Sequence, residues 1–296
     1  MTVSSRAFTG AEDLSIIAQF FDDARALVGH DKGYLHAGDV WWRYARFEPE
    51  VHQFHLCFEG DQLIGVGWLD ADFLEIHLHP TLEDAVQDAV ARDILDWAAL
   101  GRTGNIKSST AVTNNTLTVA LEAAGYVNDE SEMLIYLFDL KNPIPDLELP
   151  NGFQARHVHQ DELEERVSVH RDAFDPSKFT LERYARVRAM PGYRPDLDLV
   201  VATSEGQFAA YCIVWLSDGV GEFEPVGTRA AFRKQGLGRA VLLEGLKRLK
   251  ALGAHLATVY SYPKNRAFYE SCGFVVVNRW QDYVLKRPAR EETREA

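Results

Sequence analysis

The sequence predicts an α/β protein of the α+β type, built as two tandem domains that each hold a mixed central sheet flanked by helices. Three observations support this fold class. Segments with strand-like alternation are interspersed with segments of helical periodicity along the whole chain. The order of these segments repeats weakly, with an offset of 148 residues that places Gly125 on Gly273. A proline-rich stretch, Leu140 to Gly152, separates the two copies.

The proline-rich stretch also sets the predicted domain boundaries. It holds three prolines and ends in Asn-Gly, a composition typical of an extended linker. We therefore predict domains at residues 1–143 and 153–290, joined by a linker at 144–152. Each domain then has an ordinary size for one compact unit.

The elements of the second half follow from its periodicity. Alternating segments predict strands, and segments with apolar residues three and four apart predict helices. In order, we expect a strand at 153–158, helices at 161–174 and 181–190, a hairpin at 198–218 that turns near SEGQ, a strand at 221–228, a helix ending near Leu252, a strand at 254–262, a short helix at 265–273, and one or two strands at 274–287.

The first half shows a similar order. We expect helices at 13–29 and 37–47, a hairpin at 54–71, a strand at 73–80, a long helix at 82–100 and a short helix at 114–127. The short helix ends in Gly-Tyr, as its counterpart in the second half ends in Gly-Phe. The likeness of the two ends supports a tandem repeat of one fold.

Composition predicts a soluble globular protein of the cytoplasm. Apolar residues make up 46% of the chain and charged residues 25%, and no apolar run is long enough to span a membrane. The start shows no secretory signal pattern. Cys57, Cys212 and Cys272 lie far apart, which argues against a disulfide framework and a cysteine-rich zinc site. Each is expected to be a small buried hydrophobe.

The charge distribution bears on the partners. A net charge of −13 disfavours nucleic acid as a partner. Residues 1–140 carry −15 and the remainder +2, so the acidity is confined to the first half. Either this half presents a solvated acidic surface, or its field draws a cationic substrate toward a cleft.

The stretch FRKQGLGRAVLLEGLKRL, from Phe232 to Leu249, places two glycines and a basic pair directly before a good helix. Glycine weakens a helix interior by roughly 1 kcal/mol, so its presence here needs a reason. The first turn of a helix has four N–H groups without internal partners and carries a partial positive charge. Bare backbone at Gly236 and Gly238 with adjacent cations would therefore cradle a phosphate group.

The motif RKQGLG resembles the R/Q-x-x-G-x-G/A motif of the GCN5-related N-acetyltransferases, the GNAT superfamily. The stretch KNRAFYESCGF is similar to a later motif of that family, although Asn265 stands only four residues before Tyr269, closer than is usual there. The resemblance implies acetyl-CoA as co-substrate, no metal, and a cofactor contact at Asn265. It also implies that the pyrophosphate is bound by Arg233, Lys234, Gln235, Gly236, Leu237 and Gly238, and that Arg239 is a further cofactor contact.

The strand GEFEPVGT predicts an irregular sheet. Pro225 cannot donate to a sheet ladder and Gly227 lacks a side chain, so the strand is expected to be bulged or splayed. In GNAT proteins the sheet splays at this fourth strand, and the pantetheine arm pairs with it like an added strand. The resemblance implies cofactor contacts at Val226, Gly227 and Thr228, with the Val226 N–H polarising the thioester carbonyl.

Acetyl transfer to an amine needs a base and an acid. An alkylammonium group must lose a proton before it attacks, and the leaving thiolate must gain one. Glu222 and Glu224 lie on one face of the strand at period two, and the spacing from Glu222 to Arg233 resembles that of the family's base. We predict Glu222 as base, Glu224 as second candidate and Tyr269 as acid. The alternatives are two solvent-facing carboxylates and a packing tyrosine.

The first copy lacks the glycines and cations of the phosphate loop and the tyrosine of the second copy. An ungapped alignment of the two copies with an offset of 149 residues places other residue types at the phosphate loop: it pairs Arg233 with Asp84, Gly236 with Gln87 and Gly238 with Ala89. With an offset of 148 residues, Tyr269 is paired with Leu121. Acids at a helix start would repel a pyrophosphate. We predict one active domain and one degenerate partner that shapes the substrate cleft.

Other conspicuous residues are expected to be structural. His55, His77 and His79 alternate along strand segments and are expected to pack in the sheet without a metal. Packing roles are also expected for Trp41, Trp42, Trp68 and Trp97, one of which could line the cleft. Tyr211 and Trp215 either wall the acceptor pocket or pack on a helix.

The leading functional hypothesis is an acetyl-CoA-dependent N-acetyltransferase that acts on the primary amine of a small cationic molecule. A mycothiol-synthase-like enzyme is a second hypothesis, since that enzyme type is similar in its tandem architecture. A non-catalytic acyl-CoA-binding sensor is the third, and it would bind the cofactor without releasing thiol. A monomer is favoured over a homodimer, because a tandem repeat can bury internally the surface through which single copies dimerise.

Overall fold

The computed structural model describes residues 3–48, 51–146 and 149–287. Residues 147–148 of the predicted linker and residues 288–290 of the second predicted domain lie outside the described residues. Among the described residues, none of the helices combines the length and apolar character needed to cross a bilayer.

Strands and helices alternate along the described chain. The strands are β1 (Val3–Ala7), β2 (His52–Glu59), β3 (Gln62–Asp70), β4 (Phe73–Leu78), β5 (Ile106–Ala111), β6 (Val127–Asp139), β7 (Phe153–His157), β8 (Asp198–Thr203), β9 (Phe208–Ser217), β10 (Val220–Thr228), β11 (Leu256–Ser261) and β12 (Val275–Leu285). The helices are α1 (Ala11–Val28), α2 (Ala37–Arg46), α3 (Asp84–Ala99), α4 (Asn115–Ala123), α5 (Leu163–Ala173), α6 (Leu181–Arg188), α7 (Leu237–Ala251) and α8 (Arg266–Ser271).

The predicted mixed α/β class is confirmed, and so are the hairpins β2–β3 and β8–β9. The closing segment, predicted as one or two strands, is the single strand β12. Three strands had no predicted counterpart, namely β1, β5 and β6. The first part of β6 reads VNDESE and is exposed, so it lacks the apolar alternation on which strand prediction depends.

The chain forms two compact units whose members do not follow the linear boundaries. Unit 1 comprises the described parts of Met1–Tyr34, Pro49–Leu134 and Asn278–Ala296. Unit 2 comprises Leu35–Glu48 and the described part of Ile135–Val277. Helix α2 therefore belongs to unit 2 although it lies in the first half of the sequence, and most of β12 belongs to unit 1.

Unit 1 holds the strand order β1-β2-β3-β4-β5-β12. Its hairpins are antiparallel, whereas β4 and β5 are parallel because α3 crosses between them. The parallel ladder is short and joins Phe73–Glu75 to residues 107–109. Helices α3 and α4 pack on a core that includes Ile76, Ile94 and Leu121.

Unit 2 holds the strand order β6-β11-β10-β9-β8-β7, with the last part of β6 at its edge. Strands β8 and β9 are near-continuous apolar runs, and their side chains are fully or almost fully buried along most of their length. Helix α7 covers them with a leucine-rich face. Strand β10 lies between β9 and β11, and it carries the predicted catalytic carboxylates.

Candidate active site

Strand β10 is paired fully on one side and only partly on the other. It is parallel to β11 from Val220 to Glu222, opposite Leu256–Thr258, and the described ladder ends there. On its other side β10 is antiparallel to β9, with a register shift between Phe223 and Val226. The predicted bulged and splayed strand is thus observed. The shift occurs at Pro225, which has no N–H to donate.

Two main-chain donors at the end of β10 point away from β9. The Arg229 N–H donates to the Ala209 carbonyl of β9 at 2.9 Å, and main-chain directions alternate along a strand. The N–H groups of Val226 and Thr228 therefore point to the side where β11 has separated. The Thr228 carbonyl on that side accepts from Nε of Arg233 at 3.2 Å.

Glu222 lies deep inside unit 2. Its side chain is fully buried, and Oε2 lies 3.3 Å from Nδ1 of His36, which is also fully buried. The Gly38 N–H donates to the same Nδ1 at 2.9 Å, so His36 caps the N-terminus of α2. Nε2 of His36 lies 3.1 Å from the Val220 carbonyl oxygen. Glu222 and His36 therefore join β10 to the start of α2.

Close approach of α2 to β10 depends on a glycine. A Cβ atom at Gly38 would lie 2.3 Å from Cβ of Trp215 and 2.6 Å from Oε2 of Glu222. These distances are too short for any side chain, so only glycine allows the helix start to pack on the carboxylate.

Glu224 has a different environment on the same face of β10. Its side chain is partly exposed. Burial raises the pKa of Glu224 to about 7, and the charge of Asp39 raises it further, whereas Arg46, Arg43 and the Trp42 indole lower it. A carboxyl of this kind changes charge near neutral pH, as a general base should.

Sequence reasoning missed the contribution of α2. Asp39, Trp42, Arg43 and Arg46 all influence Glu224, yet they lie in the half predicted to be degenerate. The helix carries an acid in its first turn and two arginines in its last turn, which suits the helix dipole and by itself indicates only a stable helix. In the sequence, the available signal was the histidine directly before Ala37, His36.

Tyr269 lies on α8 with only 6% of its surface exposed. Its ring lies 5.2 Å from that of Tyr136, on the end of β6 that belongs to unit 2. Burial raises the pKa of Tyr269 well above its ordinary value, the charge of Glu224 adds to this, and contact with Ser261 lowers it. The hydroxyl thus keeps its proton at neutral pH and lies within electrostatic reach of Glu224.

The predicted phosphate loop continues into the first turn of α7, and Gly236 directly precedes that helix. Gly236 is the N-cap, with a φ of 80° in the left-handed region and no side-chain cap. A Cβ at Gly236 would meet nothing within 4 Å, whereas one at Gly238 would lie 2.6 Å from Oγ1 of Thr228. Gly236 therefore serves the backbone turn, and Gly238 allows α7 to approach the end of β10.

The side chains of the loop divide into two kinds. Arg233 donates to main-chain carbonyls of Thr228 and Ala173, at 3.2 and 3.0 Å, so it ties the loop to the end of α5. Gln235 donates back to the Ala231 carbonyl. Lys234 is exposed in a left-handed conformation. The Lys234 side chain is thus the more accessible of the two for binding an anion, whereas Arg233 holds the loop in place through its hydrogen bonds to main-chain carbonyls.

The remaining predicted cofactor contacts lie around the same end of β10. Leu237 is buried in the first turn of α7, and Arg239 donates to the Ser271 carbonyl at 3.3 Å. Asn265 donates to the Ser261 hydroxyl at 2.9 Å from a short 3-10 turn before α8. A Cβ at Gly227 would lie 2.5 Å from the Tyr211 ring, so the glycine gives that ring its space.

Two aromatic residues of β9 pack in the interior. Trp215 is fully buried, and its Nε1 donates to the Glu224 carbonyl at 2.7 Å while its ring lies 6.0 Å from that of Trp41. Tyr211 is also fully buried, with its hydroxyl 2.5 Å from Nδ1 of His170. Of the two roles left open for these residues, packing is the one observed.

The first copy begins its corresponding helix differently. Helix α3 starts at Asp84 with Glu83 as N-cap, whereas α7 starts at Leu237 with Gly236 as N-cap. The ungapped alignment of Gln87 with Gly236 is therefore wrong, because the connection before the helix is shorter in the first copy. An acidic residue still stands where the second copy has glycine.

The alignment of the short helices holds. The Tyr126 N–H donates to the Leu121 carbonyl, and the Phe274 N–H donates to the Tyr269 carbonyl. Both helices close on a left-handed glycine. Leu121 therefore occupies the position of Tyr269 and brings no hydroxyl.

A cavity of about 800 Å³ opens beside α5 in unit 2. Arg229 and Ala230 line one part of it, directly after β10, and the other lining residues come from α5 to the start of α6. None of the three predicted catalytic side chains lines it. The cavity therefore adjoins the entry to the loop rather than the carboxylates.

Comparison with known proteins identifies a family domain within the chain. Residues 158–274 match the model of the Acetyltransferase (GNAT) family. This segment contains β10, the loop, α7, the 3-10 turn at Pro263–Asn265 and α8, which together carry all the predicted catalytic and cofactor-binding residues.

Two proteins similar in sequence bear the same name. A mycothiol acetyltransferase of Propionibacterium freudenreichii subsp. shermanii is 27% identical over 172 residues, 53% of this chain and 55% of that one. The alignment thus spans about half of that relative's length. A mycothiol acetyltransferase of Thermobispora bispora is 27% identical over 267 residues, 81% of this chain and 84% of that one.

A solved structure shares the fold over nearly the whole chain. A tandem GNAT protein from the clavulanic acid biosynthesis pathway matches with a TM-score of 0.68 at 13% identity, and the match covers 98% of this chain and 100% of that one. At this identity the likeness shows the fold alone, and it agrees with the predicted tandem architecture. Residues 158–274 thus form a domain that matches the GNAT acetyltransferase family.

Proposed function

We propose that the chain uses acetyl-CoA to acetylate a primary amine of a small cationic acceptor directly, and that unit 2 is the active unit. The observation that carries the proposal is Glu224, a carboxyl with a pKa of about 7 where β10 separates from β11. A base that changes charge near neutral pH can take a proton from an ammonium group and release it again.

Glu224 is a better candidate for the base than Glu222. A base must reach the proton that it removes, directly or through one water. Glu222 is fully buried against His36, whereas Glu224 is partly exposed. We therefore assign Glu222 the role of positioning α2 and Glu224 that of the base.

Tyr269 is the proposed acid. Its raised pKa keeps the hydroxyl protonated, so it can donate to a leaving thiolate.

The proposed cofactor contacts are the splay and the loop. The N–H groups of Val226 and Thr228 face the space beside β11, where an extended amide chain can pair with them. The exposed turn at Lys234–Gly236 leads into free N–H groups of α7, which suit a pyrophosphate. These residues fit acetyl-CoA, which supplies the acetyl group as a thioester.

The acceptor class rests on charge. The first 140 residues carry −15, and this favours approach of a cation. An amine acceptor is cationic before it loses its proton, so the same field that attracts it opposes its deprotonation. A nearby base with a raised pKa resolves this conflict.

The test measures acetyl-CoA-dependent thiol release across aminoglycosides, polyamines, amino acids, peptide N-termini and a cysteinyl pseudodisaccharide. Glu224→Gln and Glu222→Gln are compared with the wild type. We expect Glu224→Gln to lower kcat by about 100-fold or more, since general bases contribute this much. Glu222→Gln should retain more activity; the opposite ranking would return the role of base to Glu222.

A mycothiol-type acceptor is the second candidate. It is favoured by the two relatives named mycothiol acetyltransferase, one of which aligns over 81% of this chain. Selective acetylation of the cysteinyl pseudodisaccharide would support it.

A non-catalytic sensor would instead bind acetyl-CoA and release no thiol with any member of the panel.

A further inference from the structure

Three side chains of unit 1 form a compact cluster away from the proposed active site. Nε2 of His55 lies 2.8 Å from Oδ2 of Asp93, and Sγ of Cys57 lies 3.6 Å from the same oxygen. One ligand atom from each residue lies within 4.8 Å of the other two. Histidine, cysteine and aspartate are all metal ligands, and together they suit a borderline cation.

The fold builds this cluster through two glycines. His55 and Cys57 lie on one face of β2 because they are two residues apart. Their partners across the hairpin are Gly67 and Gly65. With no side chains there, α3 comes so close that a Cβ at Gly65 would lie 2.5 Å from Val90.

The close approach of α3 brings Asp93 to the strand. A Cβ at Gly67 would lie 2.5 Å from a methyl carbon of Ile94, the next residue on α3. The hairpin and the helix thus meet without an intervening layer of side chains. The cluster is therefore fixed by backbone geometry at both sides.

The cluster is held in place and is accessible at one end. The Trp97 ring stacks on the His55 imidazole, with centroids 5.1 Å apart and planes inclined by 22°. The Cys57 thiol is buried, whereas the Asp93 side chain is 47% exposed. A small cation can thus reach the cluster at Asp93.

A nucleophilic thiol does not suit this arrangement. Burial raises the pKa of Cys57 to about 12, and the charge of Asp93 raises it further. A catalytic cysteine needs a lowered pKa and an accessible sulfur. A thiol hidden beneath an aspartate has neither property.

We propose that His55, Cys57 and Asp93 form a binding site for a divalent transition metal, of which zinc is the best fit. Zinc binds sulfur, imidazole nitrogen and carboxylate oxygen in tetrahedral sites, with bond lengths of about 2.0–2.3 Å. Ligand atoms are then about 3.3–3.7 Å apart. The Cys57–Asp93 distance already fits, and the His55–Asp93 pair must open slightly. The thiol releases its proton to water as its sulfur binds the metal.

The geometry leaves a fourth position for water or an external ligand. Three protein ligands with one open position are the arrangement of accessible zinc sites, whereas structural sites use four. The alternating His55, His77 and His79 were expected to be structural. The ligands found with His55 are instead Cys57 and a residue of α3.

The test uses the full chain, stripped of metal, and zinc sulfate as the probe. Calorimetry is expected to give one zinc per chain, and Co²⁺ is expected to give a thiolate-to-cobalt charge-transfer band. Cys57→Ser should abolish the band and weaken zinc binding by more than about 100-fold, because loss of an outer-shell partner alone costs 10- to 100-fold. Asp93→Asn should weaken it by about 10-fold or more.

Matched controls are available in the chain. Asp88→Asn alters another exposed acid of α3, which pairs with Arg92, and should leave zinc binding unchanged. Cys272→Ser alters another buried thiol and should leave the cobalt band intact. Asp93 is exposed enough for its variant to fold if Cys57→Ser does not. Absence of zinc binding to the wild type, or its persistence in both ligand variants, overturns the proposal.

Discussion

Oε2 of Glu222 lies 3.3 Å from Nδ1 of His36, and both side chains are fully buried. His36 comes from the first half of the sequence and Glu222 from the second, yet both belong to unit 2. The pair fixes the start of α2 on β10, and α2 in turn carries the charged residues that influence Glu224. The environment of the proposed base therefore depends on a helix that lies in the first half of the sequence.

Replacement of His36 by alanine should destabilise unit 2. The variant loses the cap on the Gly38 N–H and the polar contact with the Val220 carbonyl. Loss of a cap costs about 1 kcal/mol and a buried unpaired group about 1–3 kcal/mol, so we expect about 2–4 kcal/mol. Urea unfolding measures this. His159→Ala removes a half-exposed histidine and should cost far less; equal costs would contradict a structural role for His36.

Glu224→Gln should change the pH dependence of stability. Glu224 has a pKa of about 7 in the folded chain, above its ordinary value. Its contribution to stability is complete below the ordinary pKa and is lost as pH rises through about 7. Glutamine stays neutral, so the variant should exceed the wild type by about 2 kcal/mol at about pH 8 and match it near pH 4.5.

The control for this prediction is Glu205→Gln, which alters an exposed carboxyl in the turn between β8 and β9. It should show little difference from the wild type at either pH. Urea unfolding of all three proteins decides the matter. A wild type and a Glu224→Gln variant that differ equally at both pH values would show that the pKa of Glu224 is not raised.

Tyr269→Phe should slow turnover without weakening cofactor binding. The variant keeps the packing against Tyr136 and loses only the hydroxyl. We expect kcat to fall by about 100-fold, because general acids contribute this much, while the acetyl-CoA affinity stays the same. Tyr262→Phe removes an exposed hydroxyl nearby and should have no effect. An unchanged kcat in Tyr269→Phe would remove the acid from the mechanism.

Gly236→Ala should weaken acetyl-CoA binding through the backbone of the loop. Gly236 and Gly253 both have left-handed φ values, of 80° and 81°, and an added Cβ meets nothing at either. Each alanine should cost about 1 kcal/mol of stability through strain. Only Gly236→Ala should also lower the acetyl-CoA affinity, which calorimetry measures. Similar affinities for the two variants would show that the turn at Gly236 takes no part in binding.

One acetyl-CoA should bind per chain. Glu83 stands at the start of α3 where Gly236 stands at the start of α7, and Leu121 stands where the second copy has Tyr269. An acid at that position repels a pyrophosphate. Calorimetric titration of the full chain measures the stoichiometry. Two sites of similar affinity would show that the first copy has kept its cofactor site.

Much of the fold could be predicted because its signals are local. The glycines before α7, the apolar runs of β8 and β9, and Pro225 in β10 each restrict the backbone where they stand. Strands β5 and β6 could not be predicted in this way. They are short or polar, and their pairing with distant strands supplies what their own residues lack.

The sequence by itself determined the tandem α/β architecture, the glycine turn before α7, and the choice of Glu222, Glu224 and Tyr269 as candidates. Only the tertiary structure distinguishes the environments of the two glutamates. Spacing along the sequence ranks Glu222 first as the base, but packing buries Glu222 against His36 and leaves Glu224 partly exposed. The same holds for Asp93, which joins His55 and Cys57 only because α3 packs on β2. Burial and contact depend on the whole fold, whereas residue type and spacing are properties of the chain alone.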